Sequence, residues 1–197
     1  YAQGSLGASG DLAPLAHMSL PLLGEGSLWF KGEIVETQKV LDQLGPKAWA
    51  THTLASKEGL ALLNGTQFMS AHGIYATLHA RRLDYFSDFI GALSTAAHDG
   101  RIEAFSQGVH ATRPQRGQVL TAKRLFQWLN ESPIMHNEKV HVQDPYSFRC
   151  MPQVHGASKS ALWHAMEVIE MEVNSATDNP VVLEEEDAVV SAGNFHG

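Results

Sequence analysis

Residues 56–98 form a run rich in Ala and Leu that contains no proline, and a run of that length and composition reads as long helical structure in spite of Gly59, Gly65 and Gly73. A second helix is expected over residues 120–129, with Lys123 and Arg124 facing water. A third is marked by Leu162, Met166, Ile169 and Val173, which recur at intervals of four, three and four residues and so share one apolar stripe, with Glu167 and Glu170 off it. That helix is expected to end near Asn174-Ser175, ahead of the turn signal Asp178-Asn179-Pro180.

Strand signals are few and short. The apolar and β-branched residues between Ser27 and Val35 read as a hairpin around Lys31-Gly32. Val181-Val182-Leu183 and Ala188-Val189-Val190 flank the acidic run Glu184 to Asp187, best read as the solvated tip of a second small hairpin. The apolar segment from Leu12 to Leu23 is punctuated by Pro14 and Pro21. The fold class expected is therefore mainly α, a bundle of long helices with small β-hairpins.

At 197 residues with 44% hydrophobic and 18% charged side chains, the chain can bury a sizeable core and has none of the bias of a disordered tract. A formal net charge of -7 gives no electrostatic reason to attract nucleic acid or an anionic membrane. Cys150 is the single cysteine, which rules out an intrachain disulfide or a cysteine-cluster zinc site and fits a reducing compartment such as the cytoplasm. No apolar stretch is long enough to span a bilayer, and the N-terminus has no signal-peptide pattern. The eleven histidines form no His-Glu-x-x-His pattern, and His72 and His79 lie two helical turns apart, so no protein-bound metal is expected. Tyr1-Ala2-Gln3 is no initiator sequence, and Asn194-Phe195-His196-Gly197 follows directly on a strand. Residues 1–197 are therefore expected to be part of a longer chain.

The chemistry is concentrated in Gly4-Ser5-Leu6-Gly7-Ala8-Ser9-Gly10-Asp11. Read alone, Ala8-Ser9-Gly10 is a flexible turn or an anion-binding nest. It also permits a rarer reaction, in which the nitrogen of Gly10 attacks the carbonyl of Ala8. This requires an attacking residue without Cβ crowding, and Gly10 meets the need. Loss of water from the ring and from Ser9 would leave an exocyclic methylene, an electrophile that no ordinary side chain supplies.

With Leu12-Ala13-Pro14-Leu15-Ala16-His17 added, this block closely resembles the signature of the histidine and phenylalanine ammonia-lyase family. Four further stretches resemble family blocks in the same order: Gly59-Leu60-Ala61-Leu62-Leu63-Asn64-Gly65-Thr66; Gln143-Asp144-Pro145-Tyr146-Ser147-Phe148-Arg149-Cys150; Pro152-Gln153-Val154-His155-Gly156; and Asp178-Asn179-Pro180 leading to Gly193-Asn194-Phe195-His196-Gly197. The resemblance spans essentially the whole chain, with Pro145 and Phe148 as mild departures. It implies that Ala8, Ser9 and Gly10 become a 4-methylidene-imidazol-5-one group, and that the chain belongs to the central catalytic helical domain.

The resemblance also implies individual roles. Asn64, otherwise a core amide in an apolar helical segment that must find a hydrogen-bond partner, would hold the electrophile and the substrate. Arg149, otherwise a surface charge, would grip the substrate carboxylate with its bidentate fork. Gln143 would lie near the electrophile, Tyr146 would act beside the bound amino acid, and Phe195 and His196 would line the substrate. Asp11 is expected to assist ring formation. The family fold places its active site at helix N-termini, whose positive ends favour an electrophile and a carboxylate.

In the reaction so implied, the substrate amine adds to the methylene, a base removes a β-proton, and elimination gives an unsaturated acid and ammonia. The base in the family is a tyrosine ahead of the Ala-Ser-Gly block and a glutamate follows the last block, so the isolated segment is expected to be inactive. Family sites are shared between subunits of a homotetramer. The blocks around Asp11, Arg149 and His155, with His196, look more like the histidine enzymes, which convert L-histidine to trans-urocanate. A phenylalanine or tyrosine ammonia-lyase, or an aminomutase, shares the electrophile; a non-catalytic helical scaffold would dispense with it.

Overall fold

A computed structural model describes residue 4 and residues 10–196; Ala8 and Ser9 lie outside the described residues. The chain divides into two compact units, residues 1–73 with 169–197, and residues 74–168.

In the first unit, α1 (Leu12–Ser19) starts where the Asp11 carbonyl accepts the Leu15 N–H at 3.1 Å. A 3-10 turn over Leu20–Leu23 follows, and Gly24, at φ 83°, ends it in the left-handed region. Strands β1 (Ser27–Phe30) and β2 (Glu33–Glu36) pair antiparallel, with Ser27 opposite Glu36 and Phe30 opposite Glu33. The turn between them is Lys31-Gly32, as expected, both at positive φ, as a tight two-residue hairpin needs. Helix α2 (Thr37–Leu44) follows directly. The sequence reading missed α2 because its buried positions, Thr37, Val40 and Leu41, cover little more than one turn.

The proline-free run is not one helix. It forms α3 (Glu58–Leu63), packed on α1, and α4 (Gln67–Ala97), with a break at residues 64–66. The break has a tertiary cause. The Gly65 carbonyl accepts the Asp11 N–H at 2.8 Å, and the Thr66 N–H donates to the Thr177 hydroxyl at 3.2 Å. These groups are thereby lost to a continuous helical ladder. Strands β3 (Val181–Leu183) and β4 (Ala188–Val190) form the second expected hairpin, with Val181 opposite Val190.

The second unit contains residues 74–97 of α4, a 3-10 turn at Ile102–Phe105, α5 (Gln107–Ala111) and α6 (Arg116–Asn130). A further 3-10 turn at Pro133–His136, the single turn α7 (Tyr146–Arg149) and residues 151–168 of α8 (Met151–Val173) complete it. Its core is Ala92, Ile102, Phe105, Leu125, Leu129, Met135 and Met151. Within the α8 stripe, Leu162, Met166 and Ile169 are half-buried, but Val173, the last residue of the helix, is exposed.

Lys123 is exposed, but Arg124 does not face water as expected. Its guanidinium lies 5.2 Å from the Tyr85 ring centre and 3.0 Å from the Asp88 carboxylate. The fully buried Asp88 also meets Lys159 Nζ and His155 Nδ1, each at 2.9 Å, and Lys159 reaches Asp84 at 2.8 Å. Burial pushes the Asp88 carboxyl up, but the hydrogen bonds from His155, Lys159 and Arg124, with the charge of Lys159, outweigh it and hold the carboxyl below its ordinary value. Among the described residues, no helix is long and apolar enough to cross a membrane.

Candidate active site

Gly10 is the last residue of the Ala8-Ser9-Gly10 triplet and stands just ahead of α1. It is buried and takes φ 88°, a conformation that L side chains rarely adopt. A Cβ built on it would stand 2.6 Å from Asn64 Oδ1 and 2.7 Å from the Asn64 carbonyl oxygen. Glycine is therefore required twice at this position, by the dihedral and by the contact.

Asn64 stands at the C-terminal end of α3 rather than inside a helix, at φ -112° and ψ 6°. Its Nδ2 donates to the Asn179 carbonyl at 3.1 Å, which turns Oδ1 toward Gly10. The Asn179 side chain accepts the Ala192 N–H at 2.8 Å, and Asn194 Nδ2 donates to the Ala176 carbonyl at 3.1 Å. The Asp178-Asn179-Pro180 turn, whose Asn179-Pro180 bond is cis, is thus stitched to the segment carrying Phe195 and His196. Those two rings lie 4.6 Å apart between centroids, Phe195 half-buried and His196 exposed. An ion pair between Lys57 and Asp178 fastens the same turn.

Asp11 is buried, and its carboxylate does not cap its own helix. Oδ2 instead accepts the Met69 N–H at 2.8 Å, in the first turn of α4. The residue joins the Gly10 loop to the N-terminus of the longest helix, where the dipole favours a carboxylate.

Gln143, Tyr146 and Arg149 belong to the second unit. Gln143 is exposed on the preceding loop and Tyr146 is 71% exposed. Tyr146 and Arg149 occupy the turn α7 rather than the expected loop, because the Pro145 carbonyl accepts the N–H groups of Phe148 at 3.0 Å and Arg149 at 3.1 Å. The Arg149 guanidinium carbon sits 4.4 Å from the centre of the Tyr146 ring, and its Nε donates to the Asp144 carbonyl at 2.8 Å. Asp144, which sequence reasoning left aside, is buried; its signal was a carboxylate inside the Gln143 to Arg149 block. Among the described residues, no group of three or more His, Cys, Asp or Glu side chains is placed to hold a metal ion.

A mainly helical fold, an obligate glycine closing Ala-Ser-Gly and a polar cradle behind it define a narrow class. The profile of the aromatic amino acid lyase family matches residues 1–197, and the chain belongs to that family. It is 46% identical to histidine ammonia-lyase of Macrococcus caseolyticus over 199 aligned residues, covering 100% of this chain and 39% of that protein. The histidine ammonia-lyase of Trypanosoma cruzi superposes with a TM-score of 0.83 at 40% identity, covering 99% of this chain and 35% of that one. A phenylalanine aminomutase of Pantoea agglomerans gives a TM-score of 0.89 at 29% identity, covering 99% and 40%. The chain thus spans about two fifths of the length of these relatives.

Proposed function

We propose that this chain is the electrophile-bearing segment, within the central catalytic helical domain, of a histidine ammonia-lyase. The reaction is the non-oxidative deamination of L-histidine to trans-urocanate and ammonia, the first step of histidine degradation. One observation carries the reading: Gly10 is held at φ 88° against Asn64, where no residue with a Cβ fits. An attacking nitrogen free of side-chain crowding is what cyclisation onto Ala8 requires. The 46% identity to a histidine enzyme over the whole chain, against 29% to the aminomutase, supports histidine as the substrate.

The residues around Gly10 fit a methylidene-imidazolone derived from Ala8, Ser9 and Gly10. Gly10 supplies an unhindered nitrogen, Asn64 Oδ1 occupies the space a Cβ on Gly10 would need, and the Asp11 carboxylate, next in sequence, is tied to α4. Once formed, that group supplies an electrophilic methylene for the substrate amine. Arg149 presents two terminal nitrogens to the substrate carboxylate while its Nε stays on the Asp144 carbonyl. Tyr146 lies against that guanidinium with its phenol exposed. The family resemblance assigns Gln143 a place near the electrophile, and Phe195 and His196 places beside the substrate.

Assembly as a homotetramer with shared sites belongs to the same reading. It is supported by the apolar residues that α4 leaves exposed, among them Leu83 at 69%, Ile90 at 59% and Leu93 at 56%. The cytoplasm as compartment is supported by the single Cys150.

The test supplies the complete gene product separately with L-histidine, L-phenylalanine and L-tyrosine and follows the ultraviolet absorbance of each unsaturated acid. Preference for histidine is expected. Preference for an aromatic substrate moves the specificity, and a β-amino acid product in place of free ammonia identifies an aminomutase. Silence with all three amino acids favours a non-catalytic scaffold.

A further inference from the structure

Asp144 has no role in the chemistry above, yet its side chain is completely buried and its partners are specific. Oδ2 accepts the Arg101 N–H at 2.7 Å, and Oδ1 lies 2.6 Å from His141 Nε2. The Arg101 side chain closes the circuit, with Nε donating to the His141 carbonyl at 2.9 Å. Residues 101, 141 and 144 are therefore tied into a ring of three hydrogen bonds. There is little slack in it, because a Cβ on Gly100 would stand 3.0 Å from Asp144 Oδ2.

The ring fixes the carbonyl of Asp144, and that carbonyl holds Arg149 Nε at 2.8 Å. The guanidinium is held from a second side by the Tyr146 ring, 4.4 Å away. Phe148, between these two residues in sequence, is stacked on His98 at 4.4 Å with ring planes 2° apart. Among the described residues, the terminal nitrogens of Arg149 make no hydrogen bond, so the fork that suits a carboxylate is left unspent. A buried carboxylate is costly unless its partners are well placed. An arginine ordered before its ligand arrives avoids the entropy otherwise lost on binding.

We propose that Asp144, held by His141 and by the backbone of Arg101, is a positioning residue that aims Arg149 at the substrate carboxylate. The inference rests on the reading of Arg149 as the carboxylate partner, and its test separates the two.

The complete gene product and its variants Arg149→Ala, Asp144→Asn, His141→Gln and the double variant Arg149→Ala/Asp144→Asn are compared. Each is assayed for L-histidine turnover and for inhibition by L-histidinol, in which CH2OH replaces the carboxylate. Asp144→Asn is expected to raise KM for histidine roughly tenfold, the usual scale for losing an oriented charged hydrogen bond. Inhibition by histidinol should be unchanged, kcat should change less than KM, and the substitution should have no further effect on KM once Arg149 is gone. His141→Gln should act in the same direction more weakly. Its side chain is 35% exposed, so it carries the comparison if Asp144→Asn does not fold. Equal weakening of histidine and histidinol, or an effect of Asp144→Asn that persists in full without Arg149, overturns the proposal. If Arg149→Ala alone leaves KM for histidine unchanged, the reading of Arg149 itself falls.

Discussion

Gly10 and Asn64 are packed so that a Cβ on the glycine would meet both the side-chain amide and the backbone of the asparagine, at 2.6 and 2.7 Å. The same glycine has φ 88°, which costs an L-residue about 1–2 kcal/mol before any clash. Gly10→Ala is therefore expected to stop cyclisation. Mass spectrometry of the peptide spanning residues 8–10 should show the loss of two water molecules in the parent and none in the variant, with turnover abolished. Asn64→Ala opens space and leaves the glycine conformation free, so it should keep the mass deficit while lowering turnover roughly a hundredfold, the scale for removing one oriented polar group. Ser9→Ala should abolish turnover and leave the oligomer intact by sedimentation. A mass deficit that survives Gly10→Ala would sink the cyclisation argument.

The carboxylate of Asp88 is matched by three donors inside the second unit, and its carboxyl is held below the ordinary value despite burial. The sign follows from linkage. A depressed native pKa means that the contribution of Asp88 to stability is fully present above the ordinary carboxylate value and is lost as pH falls through the lowered one. Asp88→Asn leaves Lys159 buried with Asp84 as its remaining close carboxylate and should cost about 3–5 kcal/mol near neutrality. Thermal midpoints taken across pH should show the largest gap between parent and variant near neutrality, closing in acid. A gap that stays constant through the acid range would mean that the charge of Asp88 is not what stabilises the cluster.

Why Arg124 and Asp88 were not paired from the sequence is plain from their separation. A helix over residues 120–129 is readable in the sequence, and the structure extends it to Arg116–Asn130, but Arg124 lies 36 positions along the chain from Asp88, and periodicity within one helix carries no such information. The hairpins at Lys31-Gly32 and at residues 181–190 are local events, and both were readable. The break at residues 64–66 was not, because it depends on Asp11 and Thr177 claiming the Gly65 carbonyl and the Thr66 N–H. For the candidate site, residue identities came from family blocks and from the chemistry of Ala-Ser-Gly. What the blocks could not supply was the support behind them, the Asn179 carbonyl on Asn64 and the Asp144 carbonyl on Arg149.

Lys31 sits in the hairpin turn at φ 51°, ahead of Gly32 at φ 94°. Asparagine tolerates the left-handed region better than lysine and is favoured before glycine in such turns. Lys31 Nζ lies 5.0 Å from the Phe30 ring, a small interaction at an exposed site. Lys31→Asn relieves part of a left-handed cost of about 1–2 kcal/mol and gives up a contact of about 0.5–1 kcal/mol, so it should raise stability slightly, read as a higher denaturant midpoint at unchanged slope. A lower midpoint would show that the lysine's contact with Phe30 outweighs its backbone strain.

Gly117 on α6 and Gly156 on α8 let the two backbones touch. A Cβ on Gly156 would stand 2.6 Å from Gln118 Cα and 2.7 Å from the Gly117 carbonyl carbon. Both obstacles are main chain, which cannot rotate away as a long side chain would. In the interior of a helix Ala ordinarily exceeds Gly by about 1 kcal/mol, so propensity alone favours Gly156→Ala. Separating two packed helices costs more, about 1–3 kcal/mol for overpacking in a dense interior, and the net effect should be destabilising. The loss should also reach the ion pairs that flank the crossing, since His155 and Lys159 approach Asp88 from the same stretch of α8. Gly156→Ala is thus expected to lower the thermal midpoint and to narrow its dependence on acid pH, as Asp88→Asn does. A midpoint raised by the substitution would mean that the helices can part without disturbing the charge cluster.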